Sequence, residues 1–303
     1  MINRVDYERL RKSEAVFLDN RITSELKEEL SSFCLENSIQ LYIIPSFADI
    51  LIKKKNLDLN DLLIRKLCSF KLSRTQRFFK RTFDIIFSLI FLIILSPLML
   101  AIYLLIKLVD RGPAVYLQKR LTYQGKEFIL FKFRTMILDA EKDSGAVLST
   151  ENDGRVTKVG RFLRKTRLDE ILQIFNVLIG DMAIVGPRPE RKYFVDKFLE
   201  GNLFYKYRFQ VKAGITGLAQ ISCFYNSDYE NKLYFDLLYI ADYSFLGDIK
   251  LIIRTLAVFF KKSSSTGIIQ EDLETLINRK GKRMVEIKPG ILELRYKDEK
   301  DNY

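Results

Sequence analysis

No histidine occurs anywhere in the 303 residues. That absence excludes a histidine general base, a Ser-His-Asp triad and histidine-ligated metals. Acid–base and nucleophilic work is left to Asp, Glu, Lys, Tyr or Cys. Cysteine is scarce too: Cys34, Cys68 and Cys223 are odd in number and far apart. They offer neither zinc spacing nor a disulfide framework, which fits a reducing, cytosolic setting. Residues 1–60 carry no GxGxxG and no GxxxxGK[ST], so they are assigned no nucleotide site. Residues 1–30 are charged throughout, and no signal peptide is expected there. No internal repeat is visible.

What is abundant is positive charge. Fifty Lys and Arg against 38 Asp and Glu leave a net charge of +12, which points to anionic partners: nucleic acid, anionic lipid or nucleotide diphosphates. The cations concentrate from Arg74 to Arg81 and from Arg155 to Arg167. A hydrophobic content of 48% is enough for a sizeable core outside the one long apolar run.

That run, Ile85 to Ile106, has no charge and has Ser96-Pro97 at its middle. It is long enough to enter a bilayer. On hydropathy alone it reads as a spanning helix. Pro97 removes one backbone donor and clashes with the carbonyl four residues back, and Ser96 can bond the freed carbonyl. Each half then measures about 16 Å, roughly half the hydrocarbon thickness. Arg74, Arg77, Lys80 and Arg81 precede the run and Lys107, Arg111, Lys119 and Arg120 follow it. A spanning helix usually shows a Lys/Arg asymmetry, and this one shows none. The expectation is a re-entrant broken helix over residues 83–108 with both ends at the cytosolic leaflet, where both basic clusters meet anionic headgroups.

Residues 1–70 read as a partial βαβ segment: strand Ala15 to Leu18, helix Ile22 to Asn37 and strand Gln40 to Pro45. Ala114 to Phe133 reads as a hairpin around Gly125, and Leu138 to Ala146 as a loop or short helix. Arg161 to Ile179 reads as one amphipathic helix, closed by Gly186-Pro187-Arg188-Pro189. Tyr193 to Val211 and Tyr229 to Lys262 read as helical, with Phe245 to Phe260 lying in an interface. Residues 263–303 read as a polar extension with weak patterning.

Asp169 and Glu170 fall within the helix so read, about 100° apart, where they can share a metal or a substrate from two angles. Alone, an acidic pair among Arg161, Arg164, Lys165 and Arg167 is a solvated, ion-paired face. Two further pieces change that reading. Lys132-Phe133-Arg134-Thr135-Met136 puts Lys132 and Arg134 on one face of a strand end. Pro187 and Pro189 hold Arg188 with little backbone freedom, which suits bidentate phosphate binding. Together with a membrane insert, these features fit phosphoryl transfer assisted by Mg²⁺ held by carboxylates.

From about Arg74 to Lys262 the chain resembles the bacterial sugar transferases, the monotopic phosphoglycosyl transferases also called undecaprenyl-phosphate sugar phosphotransferases. The resemblance rests on KRTFD (80–84), Ser96-Pro97, IKLVDRGPAVYLQKR (106–120), KFRTM (132–136), GRFLRKTRLDEILQIFNVLIGDMAIVGPRPE (160–190) and GITGLAQI (214–221). It implies an inner-membrane protein of α/β, mostly helical, monotopic fold. In that fold a re-entrant membrane helix and amphipathic interface helices carry a small cytosolic catalytic region spanning residues 71–262. The N-terminal segment then resembles the degenerate end of the nucleotide-binding-like, Rossmann-like domain of larger members. It is expected to be a regulatory or assembly module of a truncated product.

The resemblance further implies the chemistry. Asp169 attacks the sugar-bearing phosphate of a UDP-sugar, UMP leaves, and undecaprenyl phosphate takes the sugar phosphate from the aspartyl enzyme. Asp169 and Glu170 form the metal site, with Glu170 binding Mg²⁺ or handling protons. Lys132, Arg134, Arg167 and Arg188 hold phosphates, and Asp84 is structural. The family usually reads LDELPQ where this chain reads Leu168-Asp169-Glu170-Ile171-Leu172-Gln173, and loss of that proline predicts a more regular helix. Larger relatives imply a homodimer, and the pathway is exopolysaccharide, capsule or O-antigen synthesis. The competing reading is a catalytically idle membrane adaptor in a polysaccharide assembly complex. Nucleic-acid binding is not expected, because the basic clusters match no binding fold.

Overall fold

The computed structural model describes residues 6–19, 22–59, 62–67, 70–140, 153–223, 228–260, 282–288 and 291–296. Cys68 and residues 141–146 of the expected loop lie outside these. The chain divides into two compact units, residues 1–52 with 269–303, and residues 53–268.

The smaller unit begins with α1 (Tyr7–Arg11), β1 (Ala15–Leu18), α2 (Ser24–Glu36), β2 (Gln40–Ile43) and α3 (Phe47–Leu51). Thr23 caps α2 through its side chain, and Leu30 and Cys34 on the inner face of α2 meet Val16 and Leu18. β1 and β2 pair in parallel, so the expected βαβ unit is present. The sheet is completed from the far end of the chain by Lys282–Lys288 and Ile291–Tyr296, which are β9 and β10 in chain order. Its order is β2-β1-β10-β9, with β10 antiparallel to β1. The expected boundaries at 70 and 263 are thereby corrected: the C-terminal extension supplies half of this sheet. Its signal was a hairpin pattern, Met284-Val285 and Ile291-Leu292 either side of Pro289-Gly290, masked by the surrounding charge.

In the larger unit, β3 (Ile52–Leu59) and β4 (Leu62–Leu67) precede α4 (Arg74–Val109), a 36-residue helix opened by a Ser73/Gln76 capping box. It is the one helix among the described residues long and apolar enough to cross a membrane. Its helical assignment runs through Pro97, and Ser96 Oγ donates to the Ile93 carbonyl at 3.0 Å, the group that Pro97 leaves without a partner. Ile86, Leu89, Ile90, Ile93, Ile94 and Leu100 on this helix are exposed. Its other side is buried in two stretches, at Lys80, Asp84 and Ser88 and again at Met99, Ile102 and Ile106. Lys80 pairs with Asp248 at 2.6 Å, and Asp84 accepts from the Ile184 amide at 3.1 Å. Met99, Ile102 and Ile106 join Leu163, Leu172 and Ile174 in the core.

The hairpin β5 (Val115–Leu121) and β6 (Glu127–Phe133) turns at Tyr123–Gly125, as expected. The segment read as one helix from Arg161 to Ile179 is instead three pieces: α5 (Lys158–Lys165), a 3-10 turn (Leu168–Glu170) and α6 (Gln173–Ile179). The cause is local. Thr166 ends α5, with its hydroxyl on the Phe162 carbonyl, and Arg167 takes a left-handed conformation, φ 54°. The lost family proline therefore does not yield a regular helix. β7 (Met182–Val185) follows, buried throughout and parallel to β8 (Ala213–Thr216). Between them lie α7 (Lys192–Gly201) and a 3-10 stretch (Leu203–Gln210). The helices α8 (Leu218–Ser222), α9 (Tyr229–Ala241) and α10 (Phe245–Phe260) close the unit.

Gly160 on α5 lies against β6's exit: a Cβ there would collide with the Thr135 carbonyl, a backbone group that cannot swing away. Gly160→Ala is expected to destabilise the unit by ~3 kcal/mol, read by thermal unfolding of the purified protein.

Candidate functional site

The left-handed residue at Arg167 turns the chain so that Leu168 and Ile171 pack into the core beside Leu163 and Leu172. Asp169 and Glu170 are carried on the turn between those anchors. β6 faces them with Lys132. The buried Asn176 on α6 fixes that strand: its side chain accepts from the Phe131 amide at 3.0 Å and donates to the Ile129 carbonyl at 2.6 Å. Lys132 Nζ reaches Glu170 Oε1 at 3.0 Å. From the other side Arg188 makes a forked contact with Glu170, Nη2 to Oε1 at 2.7 Å and Nη1 to Oε2 at 3.3 Å. Pro187 and Pro189 are buried while Arg188 is exposed, so the strap presents one side chain only.

The two carboxylates are therefore inequivalent. Burial alone would raise Glu170, but the Arg188 and Lys132 charges overcome it and hold this carboxyl well below its usual range. Both Glu170 oxygens are committed. Asp169 is pushed up to about 6, by burial first and the adjacent Glu170 charge second, against the pull of Lys132, Arg164 and Arg188. No hydrogen bond to its carboxylate is formed among the described residues. Within this coupled pair Glu170 ionises first and Asp169 last. Lys132 is pulled down by burial, and Arg188 is raised chiefly by Glu170.

Of the sequence-derived site residues, the fold brings together Asp169, Glu170, Lys132 and Arg188. It takes Arg134 elsewhere: the buried guanidinium donates through Nη2 to the Asp110 carbonyl at 3.1 Å and to the Arg111 carbonyl, at the C-terminal end of α4. Lys132 and Arg134 share a strand face, but β6 ends at Phe133, so the two side chains serve different neighbours. Arg167 supplies the turn; its φ is its distinguishing feature here. Two residues were passed over. Arg164 sits on the Asp169 side and donates from Nε to Thr135 Oγ1 at 2.8 Å. Asn176 was hidden inside an apolar helix, where a lone amide was the available signal.

The bacterial sugar transferase profile matches residues 75–262, well over half of the chain. This chain belongs to that family. The matched segment holds α4 from its second residue on, the site turn, the arginine strap and α10. Among curated proteins it is 38% identical over 232 residues to the UDP-N-acetylgalactosamine-undecaprenyl-phosphate N-acetylgalactosaminephosphotransferase of Aeromonas hydrophila, covering 76% of this chain and 54% of that one. It is 34% identical to the undecaprenyl-phosphate galactose phosphotransferase of Salmonella typhimurium, covering 74% and 50%. It is 37% identical to the UDP-glucose:undecaprenyl-phosphate glucose-1-phosphate transferase of Klebsiella pneumoniae, covering 74% and 49%. The chain spans about half the length of these relatives.

Proposed function

We propose that this sugar transferase moves a sugar-1-phosphate from a UDP-sugar to undecaprenyl phosphate, giving undecaprenyl-diphosphate-sugar and UMP. The observation that carries the reading is the division of labour between the two carboxylates. Glu170 is neutralised by Lys132 and Arg188, while Asp169 beside it keeps an unshared, poorly solvated and therefore nucleophilic carboxylate. An Asp169 oxygen attacks the sugar-bearing phosphorus. The bond from that phosphorus to the bridging oxygen of UDP breaks, and UMP leaves with the bond's electrons. An oxygen of undecaprenyl phosphate then attacks the same phosphorus, and Asp169 departs as carboxylate. Arg188 and Lys132 line the charge that gathers on the transferred phosphate.

Mg²⁺ fits this donor set. Among the described residues no group of three metal-binding side chains exists, and Mg²⁺ commonly takes only one or two carboxylates alongside substrate phosphates. Asp169 and Glu170 would hold it, and it would neutralise the diphosphate of the UDP-sugar. The three relatives are named for three different sugars, so the substrate is stated as a class. UMP release from UDP-glucose, UDP-galactose and UDP-N-acetylgalactosamine with undecaprenyl phosphate tests it; no release from any of them overturns it.

The same reading places α4 in the cytoplasmic leaflet of the inner membrane, re-entrant, with both ends in the cytosol. Support comes from the shared packing: Lys80 and Asp84 near one end, and Met99, Ile102 and Ile106 beyond Pro97, are all buried against the same unit. Exposed Leu246, Ile253 and Leu256 on α10 extend the apolar surface. In a background lacking the native cysteines, Lys71→Cys and Lys119→Cys are expected to react with an impermeant thiol reagent only from the cytosolic side. Labelling from opposite sides overturns the topology.

A further inference from the structure

Arg188 stands on a four-residue strap whose successive carbonyls are all occupied. The Pro187 carbonyl accepts from the Gly214 amide at 2.9 Å and the Glu190 carbonyl from the Leu121 amide at 3.0 Å. The Pro189 carbonyl accepts from Arg120 Nη1 at 3.3 Å. The Arg188 carbonyl itself accepts from Arg208 Nη2 at 2.9 Å.

Arg208 is 5% exposed. Its Nε and Nη2 reach the same oxygen of Asp236, at 3.2 and 2.8 Å, and Nη1 reaches the Tyr205 hydroxyl. Asp236 on α9 is itself 3% exposed. An ion pair this deep is a poor way to gain stability, because desolvating each charge costs several kcal/mol, and apolar side chains of equal volume often do better. What the pair provides is direction. A planar guanidinium fixed on two other groups points its remaining N–H along one line, which the single flexible ammonium of lysine cannot do. That line ends on the carbonyl of Arg188.

We infer that Arg208, held by Asp236 and Tyr205, is a positioning residue for the reaction: it sets the peptide plane from which Arg188 reaches Glu170 and the transferred phosphate. Pro189 already restricts Arg188 to extended backbone. Arg208 fixes which way its carbonyl faces, and so where its side chain starts. Arg208 touches no substrate; its effect passes through Arg188. The inference rests on the phosphate-holding role proposed above for Arg188.

A double-mutant cycle on the full-length protein tests it, using kcat/KM for UMP release with undecaprenyl phosphate and Mg²⁺. Arg208→Lys alone is expected to lower kcat/KM by about 30-fold, with Arg188→Ala lowering it by about 100-fold. In the Arg188→Ala background, Arg208→Lys is expected to change it by less than about threefold, because the residue it positions is gone. If Arg208→Lys does not fold by thermal unfolding, Tyr205→Phe and Asp236→Asn carry the same cycle. Losses that multiply across the two sites give Arg208 a merely structural role and overturn the inference alone. Wild-type turnover in Arg188→Ala overturns the role of Arg188, and the inference falls with it.

Discussion

Asp169→Asn is expected to lower UMP release by on the order of a thousandfold or more, with the fold intact. The amide is the same size and cannot form the bond to phosphorus. Because Asp169 forms no hydrogen bond among the described residues, the exchange leaves no partner stranded, and the thermal unfolding temperature is expected to stay close to wild type. Incubation with UDP-sugar labelled in the sugar should leave label on the wild-type protein when undecaprenyl phosphate is withheld, and none on the variant. Turnover that survives the substitution would remove Asp169 as nucleophile.

The second large effect is at Glu170. Glu170→Gln removes the charge shared by Lys132 and Arg188, which leaves two cations facing each other across a half-buried site. A loss of about 10²–10³ in rate is expected. The variant also makes a signed prediction in pH. In the wild type Asp169 titrates at about 6, in part because the Glu170 charge opposes its ionisation. The reactive form is the carboxylate, so the rate of the first half-reaction is lost as pH falls through that value. Without the Glu170 charge, and with Lys132 and Arg188 released to act on Asp169, the carboxylate is favoured more strongly. The acid limb should therefore move to lower pH. Bound Mg²⁺ shifts both profiles in the same direction. Single-turnover UMP release from pH 4.5 to 8 measures the limb, and a shift to higher pH in Glu170→Gln would contradict the electrostatic account of the pair.

Glu170 is thus an organiser of positive charge. Its pairing with Lys132 and Arg188 explains how three cations, counting Arg164, gather around a carboxylate pair without collapsing onto Asp169. The committed carboxylate takes the strongest contacts and leaves its neighbour without them.

Much of this was legible in the order of residues. The absence of histidine left acid–base and nucleophilic work to Asp, Glu, Lys, Tyr or Cys. Ser96-Pro97 within an apolar run foretold the bond from Ser96 to the Ile93 carbonyl, because that is arithmetic along one helix. Strand β1, helix α2 and the β5–β6 hairpin followed from short-range periodicity. The presentation of Arg188 between two prolines was equally local.

What the order of residues did not yield was non-local. The break at Arg167 cannot be read from periodicity, since apolar spacing continues across it; the left-handed turn is stabilised by burying Leu168 and Ile171 against distant α4. Arg134 and Lys132 look equivalent on a strand, yet one meets the end of α4 and the other meets Glu170. The polar tail became two strands because β1 offered an open edge more than two hundred residues away. Sequence determined which side chains this protein has available for chemistry. Tertiary structure decided which carboxylate is paired with cations and which is not, because that depends on charges brought together from β6, the site turn and the arginine strap.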